Sequence, residues 1–135
     1  MARDEFEDLV QDAWDAIPEF FQERMDNVAV VVEDWPTRRD LDHLRLHSPY
    51  ELLGLYRGVP LPRRGIYFSR PIMPDVIAIF MHPILAHCSS RFEVRGQVRE
   101  TLAHEIGHYF GLDETEVRSA MGRYLDDRTD DHTGR

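Results

Sequence analysis

In the last third of the chain stands His104-Glu105-Ile106-Gly107-His108, two imidazoles four positions apart with a carboxylate directly after the first. On a helix, positions i and i+4 lie one above the other, so both rings can direct a nitrogen at one point about 2 Å from each. Neutral imidazoles hold Zn²⁺ without cancelling its charge, and a water bound to such an ion has its pKa lowered to about 7. Glu105 could take that proton and later deliver it to a leaving amine. Two histidines underfill a catalytic zinc site, which takes a further protein ligand and keeps one position open. Beyond Gly111 the chain must turn back, and the next side chains able to swing towards the metal are Asp113 and Glu114.

A helix must position these groups. From Ser90 to Phe110 the pattern is helical: Ser89 or Ser90 can cap its start, Glu93 completes a capping-box pattern with Ser90, and Gly111 follows the last periodic residue. At about 100° per residue, Val94, Val98, Leu102, Ile106, Tyr109 and Phe110 share one face. His104 and His108 centre about 140° or more from that face, off the core stripe, and Glu105 projects between the two. Gly107 inside the helix costs about 1 kcal/mol against Ala, which a close crossing by a strand or by the turn after Gly111 would justify.

The string His104-Glu105-x-x-His108-x-x-Gly111-x-x-Glu114 resembles the extended zincin motif, in which a third ligand follows the glycine by three positions. In that register the ligand is Glu114, where the metzincin pattern has His and some bacterial relatives have Asp; Asp113 stays the alternative. Gly54-Leu55-Tyr56-Arg57-Gly58-Val59-Pro60-Leu61, and Phe80 through Pro83-Ile84, look like a family of small bacterial, minimal matrix-metalloprotease-like zincins. The resemblance covers roughly residues 50 to 125. It implies a zinc metallopeptidase, a hydrolase that cuts peptide bonds through a metal-bound water with Glu105 as general base. Metzincins also carry a methionine turn and a C-terminal subdomain that walls the substrate cleft. Here only Thr115 to Arg135 follow Glu114, and Met121 falls with Val117, Ala120 and Tyr124 on the apolar face of a last helix, as core.

The rest of the chain supplies the frame. Phe6, Leu9, Val10, Ala13, Trp14 and Ile17 recur at helical spacing, and Pro18 opens or kinks a further turn towards Asn27. Val28 to Val32 is a continuous apolar run, read as a central strand buried on both faces. Thr37 to His47 suits a short helix, and the segment from Pro49 to Gly65 reads as turns and short extended pieces. Ile66 to Phe68 is a brief strand, and Asp75 to Met81 a second apolar strand ended by Pro83. Glu114 to Leu125 forms the last helix, and residues 126–135 an acidic, disordered tail. These elements predict an α+β domain over residues 1–125. A small mixed sheet packs against the N-terminal helix and the metal-binding helix, in agreement with the zincin resemblance.

Other polar residues read as structural. His43 and His47 are four apart but lack a third ligand; His82, His87 and Cys88 match no zinc spacing, and Cys88 is assigned to the core. Tyr109 and Tyr124 could donate to an oxyanion, though by helical angle Tyr109 points to the core. The Arg63-Arg64 pair reads as solvated.

The chain has 135 residues, 42% of them hydrophobic, with a mean hydropathy of −0.46, the composition of one soluble globular domain. No apolar run approaches the roughly 20 residues of a membrane span, and the acidic start lacks the features of a signal peptide. With Cys88 as the single cysteine, a cytoplasmic setting is the reading. The net charge of −9 argues against a nucleic-acid partner, although residues 35 to 99 hold 10 Arg against 5 acids. A peptide or protein is therefore the expected substrate. Two alternatives stand beside the peptidase. One is a metal-dependent endoribonuclease of similar histidine spacing, opposed by Glu105 and the charge; the other is a non-catalytic, zinc-stabilised binding module, motivated by the missing cleft wall.

Overall fold

A computed structural model describes residues 1–58 and 74–126. The expected strand at Ile66 to Phe68, the Arg63-Arg64 pair and residues 127–135 of the expected tail lie outside the described residues.

The N-terminal periodicity forms helix α1, Arg3–Asp15, which buries Phe6, Leu9, Val10 and Ala13. Pro18, whose fixed φ suits a helix start, caps the short α2, Glu19–Gln22. Strand β1 is Val28–Glu33 and helix α3 is Arg38–Leu44, begun by a reciprocal cap in which Thr37 and Asp40 each accept the other's backbone N–H. A 3-10 turn, Pro49–Glu51, leads into β2, Gly54–Arg57, and β3 is Asp75–Phe80. Helix α4, Met81–Ala86, follows at once, before α5, Arg91–Phe110, and α6, Glu114–Asp126.

The described strands form one mixed sheet in the order β1-β3-β2, with β1 parallel and β2 antiparallel to β3. Register places Val30 and Tyr56 on either side of Ile77, and Val32 beside Ile79, so one face presents apolar side chains to the core. Against that face lie α1 and α5, which also pack on each other, and α6 packs on α5. This is the α+β arrangement expected, with the sheet backed by the N-terminal and histidine-bearing helices. Each Leu or Ile sealed here contributes about 1.5–3 kcal/mol, which fixes α5 as the central beam of the domain.

Three local expectations are corrected. The run Val28–Val32 is not central: β3 holds the middle, and β1 is half-buried and paired on one side only among the described residues. Pro83 does not end β3, which stops at Phe80; it sits in the first turns of α4, where a missing N–H costs little. The last helix runs one residue further than expected, to Asp126, and Ala120 on it is exposed while Val117, Met121 and Tyr124 are buried.

On the sheet's opposite face, Arg57 of β2 reaches over Phe80 to Glu33, at 2.8 Å, and to Asp40 of α3, at 2.9 Å. Burial raises the Asp40 pKa, but hydrogen bonds from Thr37 and Arg57 outweigh it and hold the carboxyl below its ordinary value.

Candidate metal centre

Helix α5 begins and ends where its sequence signals stand. Ser90 Oγ accepts the Glu93 N–H at 3.1 Å, while the Glu93 carboxylate bonds back to Ser89 N–H and Oγ, one residue before the helix cap. At the other end Gly111 takes the left-handed conformation, φ 72°, which side chains other than glycine's resist. Between these caps α5 is buried on most of its circumference. A strip remains: Gln97 and Glu100 partly exposed, His104 and His108 exposed.

The two histidines therefore face outwards together, off the core stripe as their helical angle requires. Their ring centroids are 4.5 Å apart, with the planes at 64°. One donor atom from each of His104, Glu105 and His108 lies within 4.8 Å of the others, the single such group among the described residues. Exposed imidazoles one turn apart suit a divalent cation; neutral nitrogen donors and a carboxylate are the donor set zinc favours.

Glu105 departs from its expected place. It is not on the boundary of the exposed face but 4% exposed, turned beneath the histidines towards β2. There its Oε1 accepts the backbone N–H of Tyr56 at 2.9 Å and lies 3.1 Å from His108 Nδ1. A carboxylate this buried needs such partners to offset the loss of water around it. The Glu105 carboxylate raises the His108 pKa, with partial burial pulling the other way. When His108 donates from Nδ1 to Glu105, its Nε2 is the nitrogen left for a metal.

Tyr56 is the partner of Glu105 that sequence reasoning missed, since a backbone N–H carries no residue signature. Its side chain is fixed as well: the hydroxyl donates to the buried Asp75 at 2.9 Å, and the ring meets Tyr109 edge to face. Gly54, two residues earlier, lies directly against α5. A Cβ there would stand 2.5 Å from Thr101 Cγ2 and 3.5 Å from Glu105 Cγ.

The carboxylates after Gly111 have different occupations. Asp113 caps α6, its Oδ1 accepting the Glu116 N–H at 2.8 Å while the Glu116 carboxylate accepts the Asp113 N–H at 2.9 Å. Glu114, the first residue of α6, is exposed and has no side-chain hydrogen bond or ion pair among the described residues. Neither belongs to the group of donors drawn together at His104, Glu105 and His108. Gly107 has the close neighbour its position implies: a Cβ would stand 2.5 Å from Val117 Cγ2 of α6 and 3.6 Å from the Leu112 carbonyl in the turn after Gly111.

Beside the histidines a cavity of about 330 Å³ opens between α5 and the segment entering β2. Gln97, Glu100, Thr101 and His104 line one wall, and Glu51 to Gly54 the other. Among the described residues, no Lys or Arg lines it.

The remaining candidates lie outside this donor group. His43 and His47 are not part of any donor group, His87 is tied to the Pro83 carbonyl through Nδ1 at 2.9 Å, and His82 stacks on Trp35. Cys88 is partly buried against the core, and burial, with Glu93 nearby, pushes its thiol pKa up. Tyr109 is buried, and Tyr124 donates its hydroxyl to the Ala13 carbonyl at 2.8 Å inside the core, so neither phenol faces the histidines' solvent side. Met121 is core, at 1% exposure, and marks a kink in α6.

A family model described as zincin-like metallopeptidase matches residues 25–123. Among solved structures, a conserved hypothetical protein from Thermus thermophilus is similar, with 24% identity, a TM-score of 0.51, and coverage of 90% of this chain and 99% of that one. That likeness is one of fold. No curated protein matches the chain.

Proposed function

The chain belongs to the zincin-like metallopeptidase family, and from that premise we propose that it is a zinc-dependent peptidase in which Glu105 is the general base. The observation that carries this reading is the pairing of two exposed imidazoles, 4.5 Å apart, with a buried carboxylate anchored beneath them. His104 and His108 would hold the ion. Zinc, when bound, would polarise the scissile carbonyl as a Lewis acid and make a water acidic enough to lose a proton near neutral pH.

Glu114 is the third ligand in this reading, with Asp113 the alternative. Support comes from their occupations: Asp113 is spent on the α6 cap, whereas no side-chain hydrogen bond or ion pair among the described residues holds the Glu114 carboxylate. Anchoring Oε1 on the Tyr56 N–H fixes the Glu105 carboxylate and leaves Oε2 as the oxygen that accepts a proton from water and returns it to the departing amine. Because Phe80 donates to the Leu53 carbonyl, the alternation of an antiparallel ladder turns the Gly54 backbone groups and the Tyr56 carbonyl away from β3. An extended peptide would pair there, with a side chain next to the scissile bond in the adjoining cavity.

The substrate is accordingly a peptide or protein. A cavity without Lys or Arg among its described lining offers a phosphate backbone no counter-charge, which disfavours the ribonuclease alternative. A cytoplasmic setting belongs to the same reading, supported by a single, partly buried cysteine that has no partner for an intrachain disulfide. No helix among the described residues is long and apolar enough to cross a membrane. Metal analysis of the purified chain, combined with digestion of a peptide library, tests the proposal. Equimolar zinc with cleavage is expected; zinc without cleavage would leave a binding module, and RNA cleavage would substitute the endoribonuclease.

A further inference from the structure

Whether Tyr56 can hold Glu105 depends on how closely β2 approaches α5. At their crossing stand two small residues, Gly54 on β2 and Thr101 on α5, four positions before Glu105. A Cβ on Gly54 would come within 2.5 Å of Thr101 Cγ2, a separation real atoms do not tolerate, and within 3.2 Å of the Ala78 carbonyl. Thr101 cannot easily yield, because it is 6% exposed and its Oγ1 accepts from Gln97 at 3.2 Å. The contact therefore allows β2 to lie on α5 only while position 54 has no side chain.

We propose that Gly54 and Thr101 are positioning residues for the general base: their close contact sets the spacing at which the Tyr56 N–H reaches Glu105 Oε1. The catalytic part of this inference rests on the peptidase reading of Glu105; the spacing part does not. A methyl group at position 54 forces β2 and α5 apart, since the obstacle is a branched, buried residue and not the far end of a flexible side chain. The N–H···O bond, now 2.9 Å, lies at the optimum and weakens steeply on such a displacement. Glu105 then loses the donor that fixes its carboxylate. The Leu55 and Arg57 amides point the other way, to β3, so the sheet itself is spared.

Amide hydrogen exchange on the full chain, with and without added zinc, tests this without relying on activity. Gly54→Ala should speed exchange of the Tyr56 amide by about 10-fold or more while Leu55 and Arg57 stay protected. Thr101→Ser, which deletes only Cγ2, should restore Tyr56 protection in the double variant to within about 3-fold. Glu105→Ala, which leaves the backbone contact untouched, should also expose the Tyr56 amide selectively. In hydrolysis, kcat should follow the same order, falling in Gly54→Ala and recovering in Gly54→Ala/Thr101→Ser, with zinc affinity little changed. Tyr56 protection that survives Gly54→Ala or Glu105→Ala, or that Thr101→Ser fails to restore, would overturn the inference. The expected exchange pattern in a protein that cleaves no peptide would instead sink the peptidase reading and leave the spacing role standing.

Discussion

The Glu105 carboxylate accepts the backbone N–H of Tyr56 at 2.9 Å across 49 positions of sequence. This bond ties the histidine-bearing helix to the antiparallel strand β2. It also explains how a carboxylate only 4% exposed remains next to two solvent-facing imidazoles: the buried end is satisfied by the strand, and the helix presents the rings above it. The same beam, α5, carries both halves of the proposed chemistry.

Glu114→Ala should weaken zinc binding by about 10-fold or more, as expected for loss of a ligand or its close support. Asp113→Ala should leave zinc affinity nearly intact but cost about 1 kcal/mol of stability, because it removes the acceptor that caps α6. Metal titration beside a thermal melt separates the two. The reverse order of zinc affinities would move the ligand to Asp113.

Gly107→Ala raises intrinsic helix propensity by about 1 kcal/mol yet should lower stability, since the new methyl would meet Val117 Cγ2 at 2.5 Å. Pairing it with Val117→Ala should recover part of the loss. As α6 also carries Glu114, the single variant should weaken zinc binding too. Unchanged melting and unchanged metal affinity in Gly107→Ala would show that the α5–α6 approach is not tight.

Asp40 should govern acid stability. Its folded pKa is depressed, so its contribution is present above the ordinary value of 3.8 and is lost as pH falls through the folded one. Asp40→Asn should therefore be less stable than the parent at pH 7, by about 1–2 kcal/mol, because the amide can still accept from Arg57 and Thr37 but without the charge that strengthens those bonds, and the gap should close on acidification below the ordinary value. Chemical denaturation across that range checks it; a gap independent of pH would contradict the assignment.

The histidine-bearing helix α5 is legible in the sequence because its signals are local. Ser90 and Gly111 are caps whose roles follow from their own side chains, and the histidines' distance from the core stripe follows from helical geometry alone. Strand order is not legible in the same way. Val28–Val32 is a continuous apolar run, which a strand packed against α1 shares with one enclosed by neighbours on both sides, so hydrophobicity alone misplaces it at the centre. Pro83 reads as a stop because proline is excluded from helix interiors, but first turns accept it, and it stands in one. The Glu105 anchor stays hidden because its donor is main chain. Gly54 stands out in the sequence only as part of a resembling string; its physical role needs Thr101, 47 positions away by difference of numbering, to be seen beside it.

The central claim is that two imidazoles hold the ion while Glu105 handles the proton. Zinc content and peptide hydrolysis measured side by side on the parent chain and Glu105→Gln test it most directly. The amide keeps the shape and can still accept the Tyr56 N–H, but it cannot act as a base. Equimolar zinc in both proteins, with hydrolysis lost by about 100-fold or more in the variant, is the predicted result. Hydrolysis that persists in Glu105→Gln, or a parent chain that binds no zinc, would contradict it.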